Sequence, residues 1–275
     1  MKRMCNFFSA AVLGYLLVGG VTFAQEAEES KISSSSQEFV AAGDTDLAKL
    51  EASELSDALE TGELAAMSPG EFDKLVAEIK AYRPIAGVDV GKTDVRYDII
   101  VQPGHYLRTK GALGTSGKKV SEQQLVAYIV RVIATQLSAG GLKVLVVPAD
   151  GVTTGLTSKV FLSVHADGSL NACKIGPSLS YQKNSSLMAM HAVGFALSRA
   201  FGYEYEDFMK DNYTVDEAKY YMFSKVNTEV MKGLLEVGEL TCVDSENRLI
   251  TTSTVVGKNV AAALKYIATA ELADK

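Results

Sequence analysis

Four side chains carry the chemistry that this chain suggests: His105, Glu122, His165 and Glu236. The whole sequence has only three His and three Cys, so any metal site must draw on a short set of soft ligands. Two histidines fall where apolar runs end, in Gln102-Pro103-Gly104-His105 and Ser163-Val164-His165-Ala166-Asp167. The third, His191, lies in a helical pattern between Met190 and Ala192 and reads as a packed helix residue. Glu122 belongs to the first turn of a helix that follows the His105 loop. A His-Glu-His set with one position left for water is the open arrangement of a catalytic Zn²⁺ site. Such a metal makes a nucleophile available at neutral pH, and a carboxylate must then carry a proton to the leaving group. Glu236 follows the apolar pair Leu234-Leu235, where an acid is costly without a partner. Each residue also has a plainer reading. Glu122 could simply complement the helix dipole, Glu236 could open a surface turn, and both histidines could be structural.

The elements around these residues predict an α/β fold: a mostly parallel twisted sheet flanked by helices, preceded by an acidic helical N-terminal segment. Strands are expected at Arg96–Val101, Leu142–Val147, Lys159–Val164 and Gly233–Val237. Continuous apolar runs of this kind suit strands covered on both faces. Ser121 caps a helix through Leu125, Ile129 and Ile133 that ends at Gly140-Gly141. Ser185 or Ser186 begins a helix that runs to about Phe201, before Gly202. Thr214-x-x-Glu217 reads as a capping box, and Ser253 as the start of a last amphipathic helix through Val256, Val260 and Leu264. In open sheets of this type, sites form at the carboxyl ends of the strands. That is where His105 and His165 fall.

Upstream, Met1-Lys2-Arg3 and an apolar run from Phe7 to Phe23 form a signal-peptide pattern, with cleavage expected after Ala24. The run is near the lower limit for a membrane span, so no stable span is expected after cleavage. Residues 25–43 form a Ser/Glu-rich tether that cannot bury apolar area. Residues 44–91 form the acidic helical segment, with Leu47, Leu50, Leu55 and Leu59 near helical spacing, a capping box at Ser68-Pro69-Gly70-Glu71, and a stop at Pro84. Fifteen acids and five bases fall in residues 26–89, which fits a solvated spacer better than a docking or self-inhibiting segment. Residues 92–275 form the expected catalytic domain.

The chain has 275 residues, 47% hydrophobic, enough for a sizeable core. Its net charge of -6 and the lack of any basic tract argue against nucleic acid as a partner. An exported location, periplasmic or secreted and wall-associated, allows Cys173 and Cys242 to form a disulfide; two buried thiols fit the sequence equally well.

The motifs, taken in order, resemble the zinc-dependent N-acetylmuramoyl-L-alanine amidases of bacterial cell-wall hydrolysis, of the AmiC/CwlV-like, amidase-3 type. The resemblance covers about residues 95–270. It runs through Ile99-Ile100-Val101-Gln102-Pro103-Gly104-His105, then Gly111-Ala112, Ser121-Glu122, Ala139-Gly140-Gly141-Leu142-Lys143-Val144, Ser163-Val164-His165-Ala166 and Leu235-Glu236-Val237-Gly238-Glu239-Leu240. It implies zinc ligation by His105, Glu122 and His165, a catalytic role for Glu236, peptidoglycan as substrate and an activator protein as a candidate partner. Gln102 stands where the family has Asp, Tyr106-Leu107 replaces a Gly-Gly, and Glu239 takes an apolar position. Two other functions fit the same residues: a zinc peptidase acting on the stem peptide, and a non-hydrolytic wall-binding or regulatory protein on the same scaffold.

Overall fold

The computed structural model describes residues 44–62, 67–209, 213–215 and 220–270. The expected signal peptide and tether lie outside them. Three short helices come first: α1 (Asp44–Glu51), α2 (Glu54–Ala58) and α3 (Pro69–Lys80). The expected capping box is formed at α3. Ser68 accepts from the Glu71 backbone, and the Glu71 carboxylate accepts from the Ser68 backbone.

The main body follows as β1 (Arg96–Pro103), α4 (Glu122–Ala139), β2 (Val144–Val146), β3 (Leu156–Asp167), β4 (Ser178–Tyr181), α5 (Leu187–Ala200), α6 (Tyr205–Phe208), β5 (Tyr213–Val215), a 3₁₀ turn (Tyr221–Ser224), β6 (Val226–Glu239) and α7 (Val243–Thr269). The six strands form one sheet in the order β2-β1-β3-β6-β4-β5. The first four in that order run parallel. β4 pairs antiparallel with β6, and β5 parallel with β4. The sheet is therefore mostly parallel and flanked by helices, as the strand–helix alternation predicts.

Period-two alternation along the strands separates two faces. Ile99, Val101, Val160, Leu162 and Val164 join the larger core with α4, α5 and α7. On the other face, Ile100, Phe161, Met222, Phe223 and Val226 form a smaller cluster beneath the 3₁₀ turn.

Several expectations need correction. The acidic helical segment is not a solvated spacer. Leu50, Leu55, Ile79 and Ile85 belong to the larger core, so its apolar stripe is covered, while Glu51, Glu54, Asp57, Glu60, Glu71 and Asp73 are exposed. The strand expected at 142–147 is shorter, and those at 159–164 and 233–237 are longer. β6 begins at Val226 because alternating polar residues lead into its apolar half. Thr214 lies in β5, paired with Ser180, and Glu217, the other half of the expected capping box, lies outside the described residues. The last helix starts at Val243. Ser253 is buried within it, and its hydroxyl donates to the Ile250 carbonyl at 2.8 Å. Cys173 and Cys242 are joined as a disulfide.

Candidate metal centre

The site forms where β1 and β3 end and α4 begins. After β1 the chain turns at Gly104, whose N–H donates to the Val164 carbonyl of β3 at 2.8 Å. This close approach needs a glycine: a Cβ there would sit 2.5 Å from His165 Nδ1. His105 then takes a left-handed backbone, with φ of 54°, a conformation that costs a non-glycine residue free energy. Its ring Nδ1 lies 2.8 Å from the Ala112 carbonyl, which can only accept. Nδ1 therefore carries the proton, and Nε2 keeps its lone pair towards the site.

Glu122 is the first residue of α4, where Ser121 and Gln124 complete a reciprocal cap. Its carboxylate is only 3% exposed. Oε2 accepts from the Thr115 N–H at 2.9 Å, and Oε1 from the Ala166 N–H at 3.3 Å. The same Oε1 lies 3.0 Å from His165 Nδ1 and 3.6 Å from His105 Nε2. Gly114 gives the carboxylate room, since a Cβ there would meet Glu122 Oε2 at 2.6 Å. Burial alone would raise the Glu122 pKa. The His165 hydrogen bond and the two imidazoles override that and hold it below the usual carboxylate value. Burial lowers the pKa of His105, against the attraction of Glu122. Both shifts favour the forms a cation binds, carboxylate and neutral imidazole.

His105, Glu122 and His165 each offer a ligand atom, and these atoms lie within 4.8 Å of one another. Tetrahedral zinc with bonds of about 2.1 Å sets its ligands roughly 3.4 Å apart. The two separations to Glu122 Oε1, 3.0 and 3.6 Å, bracket that value. The donor set, its spacing and its charge therefore fit a zinc ion.

Glu236 lies on β6 in register with His165 on β3. Paired residues of adjacent parallel strands project from the same face, with backbones about 4.8 Å apart. Glu236 thus stands beside the three-residue cluster and outside the ligand set. His191 is buried in α5, its Nδ1 3.6 Å from Asp46 of α1, away from the other two histidines.

Three neighbours were not singled out as site residues from sequence. The Tyr220 hydroxyl lies 3.1 Å from His165 Nε2. Gln102, read above only as a departure from the family pattern, accepts from Tyr220. Arg108 is the third. It donates to the Ala112 carbonyl at 3.3 Å, pairs with Asp150 at 3.3 Å and lies 5.6 Å from the Tyr221 ring centre. The run Tyr220-Tyr221 beside a strand start was the available signal, but nothing local ties it to His165.

No protein-family model and no curated protein matches the chain. Among solved structures, it is similar to an N-acetylmuramoyl-L-alanine amidase from Clostridium difficile 630, at 18% identity and a TM-score of 0.47, over 63% of this chain and 98% of the other. It is similar to the catalytic domain of the amidase CwlV from Bacillus (Paenibacillus) polymyxa var. colistinus, at 21% identity and 0.46, over 62% and 96%. A third is the amidase AmiC2 of Nostoc punctiforme, at 19% and 0.46, over 64% and 98%.

Proposed function

We propose that this protein is a zinc-dependent peptidoglycan hydrolase that cleaves the amide between N-acetylmuramic acid and the L-alanine of the stem peptide. The observation that carries the reading is the convergence of His105 Nε2, His165 Nδ1 and the Glu122 carboxylate at the strand ends, with Glu236 one strand over. The ordered motif resemblance supports this scissile bond over one within the peptide. A signal-type N-terminus and the Cys173–Cys242 disulfide support export to the periplasm or cell wall. No helix among the described residues is long and apolar enough to cross a membrane.

His105, Glu122 and His165 would hold the ion. When bound, zinc supplies a Lewis acid for the scissile carbonyl and lowers the pKa of water to about 7. The Glu236 carboxylate takes the proton from the attacking water as the carbon–oxygen bond forms. It then gives that proton to the nitrogen as the carbon–nitrogen bond breaks. The products are a lactyl carboxylate and a peptide with a free L-alanine amine.

Elemental analysis of the purified protein, paired with mass spectrometry of digested peptidoglycan, tests the reading. One zinc per chain and intact stem peptides with a free L-alanine amine are expected. Cuts within the peptide would replace the amidase with a peptidase, and inert zinc-loaded protein would leave a binding function. Glu236→Gln is expected to retain zinc and lose about 100-fold or more in turnover. Full turnover in that variant would remove Glu236 from the chemistry.

A further inference from the structure

The outer side of the His165 ring is held by a polar chain that reaches across the sheet. Tyr220 precedes the 3₁₀ turn Tyr221–Ser224, and buried contacts fasten that turn. Lys232 of β6 is 7% exposed and donates to the Phe223 carbonyl at 2.7 Å. The Phe223 ring packs edge-on against Phe161 and Tyr220. The Tyr220 hydroxyl then meets three groups: Gln102 Oε1, Ser163 Oγ at 2.7 Å and His165 Nε2 at 3.1 Å.

Directions of donation follow from Gln102. Its Nε2 donates to the Pro148 carbonyl at 2.9 Å and to the Tyr221 hydroxyl at 3.1 Å. That leaves Oε1 as the acceptor for Tyr220. With its proton committed to Gln102, the Tyr220 oxygen faces His165 as an acceptor. With Nε2–H bonded to Tyr220, Nδ1 is the ring atom left for the cluster: without an ion Nδ1–H donates to Glu122 Oε1 at 3.0 Å, and with an ion between them the Nδ1 lone pair would face it. Gln102 is fully buried. An aspartate there has no donor for the Pro148 carbonyl and would bring an uncompensated charge into the sheet.

We infer that Tyr220 is a positioning residue of the metal centre, holding the proton of His165 on Nε2 so that Nδ1 is presented to the ion. The inference rests on the zinc reading above. Ala112 does the same for His105 from the opposite ring nitrogen, so the two imidazoles are set in opposite tautomers by partners outside the cluster.

Tyr220→Phe removes the hydroxyl and keeps the ring. Zinc affinity is measured by competition with a chromophoric chelator, and thermal unfolding of the metal-free protein is followed in parallel. Zinc binding is expected to weaken by about 10- to 100-fold, with the metal-free midpoint within a few degrees. In a His165→Ala background the same change is expected to have no further effect on zinc affinity, because its route is gone. Zinc affinity within twofold of wild type, or an equal loss in both backgrounds, overturns the inference. Should Tyr220→Phe not fold, Gln102→Leu removes the acceptor of the tyrosine proton. It is expected to weaken zinc several-fold, and unchanged affinity there overturns the inference equally. If unsubstituted protein takes up no zinc, the metal centre and the role of Tyr220 fall together; if it binds zinc normally and Tyr220→Phe binds as well, only Tyr220 loses its role.

Discussion

Gly104→Ala places a methyl group directly against a candidate ligand. The added Cβ would lie 2.5 Å from His165 Nδ1, 2.7 Å from Cε1 and 2.8 Å from Cγ, where ordinary contact starts near 3.4 Å. The ring, or the loop, must therefore give way by about 0.9 Å, against a tolerance of roughly 0.2 Å for zinc–ligand distances. The loop cannot retreat freely, because the Gly104 N–H is bonded to Val164 at 2.8 Å. Nor does Gly104 have the positive φ that would add backbone strain. The expected outcome is the effective loss of one ligand: zinc affinity down by about 100-fold or more, equivalent to ~2.7 kcal/mol. Chelator competition measures it, with urea unfolding of metal-free protein to confirm the fold. Gly111→Ala is the control. Its φ is +78°, but no atom lies within 4 Å of the new Cβ. It should lose about 1 kcal/mol of stability with zinc affinity unchanged within threefold. Equal zinc affinity in Gly104→Ala and wild type would refute the assignment of His165 Nδ1 to the ion.

Three further outcomes are expected. Glu246 is fully buried and accepts from the N–H groups of Lys118, Lys119 and Val120; Glu246→Ala should cost about 3 kcal/mol in urea unfolding, and a loss under 1 kcal/mol would show that the 117–120 loop repairs itself. The Cys173–Cys242 bridge spans a separation of 69 residues, so chain entropy gives up to about 4 kcal/mol; the double Cys→Ser variant should unfold at correspondingly lower denaturant, and an unshifted midpoint would contradict this. Burial lowers the His191 pKa from 6.5, opposed by Asp46. Its neutral form is the folded one, so its stabilisation is complete above pH 6.5 and declines as pH falls through that value towards the lower folded pKa. Wild type should therefore lose stability relative to His191→Gln between pH 7 and 5, and parallel unfolding curves would count against it.

What was legible in the sequence was mostly local. The caps at Ser68, Ser121 and Ser186 are written within four residues, and each is formed. His105, Glu122 and His165 were readable because each sits at the end of a clear element. Less legible were elements whose polar residues are satisfied from afar. The first half of β6 hides Lys232, whose buried charge bonds to Phe223. The first turns of α7 hide Glu246, which binds a loop near residue 119. β4 has four residues, too few for a periodicity, and is fixed by pairing with β6. Tyr220 was illegible for the same reason. Its meaning lies in a hydroxyl that reaches a histidine 55 positions away.

The register of β3 with β6 has a consequence for the order of assembly. His105 and Glu122 come from one short stretch of chain, but His165 and Glu236 become neighbours only after residues 168–225 have been threaded and a parallel pair has closed. Contacts of such long range form slowly, since the closure entropy must be met before they reward it. On the proposed reading both the third ligand and the base wait on parallel strand pairs, β1 with β3 and β3 with β6, so a molecule in which β3 has not yet met its two neighbours has neither a complete metal site nor a carboxylate beside it.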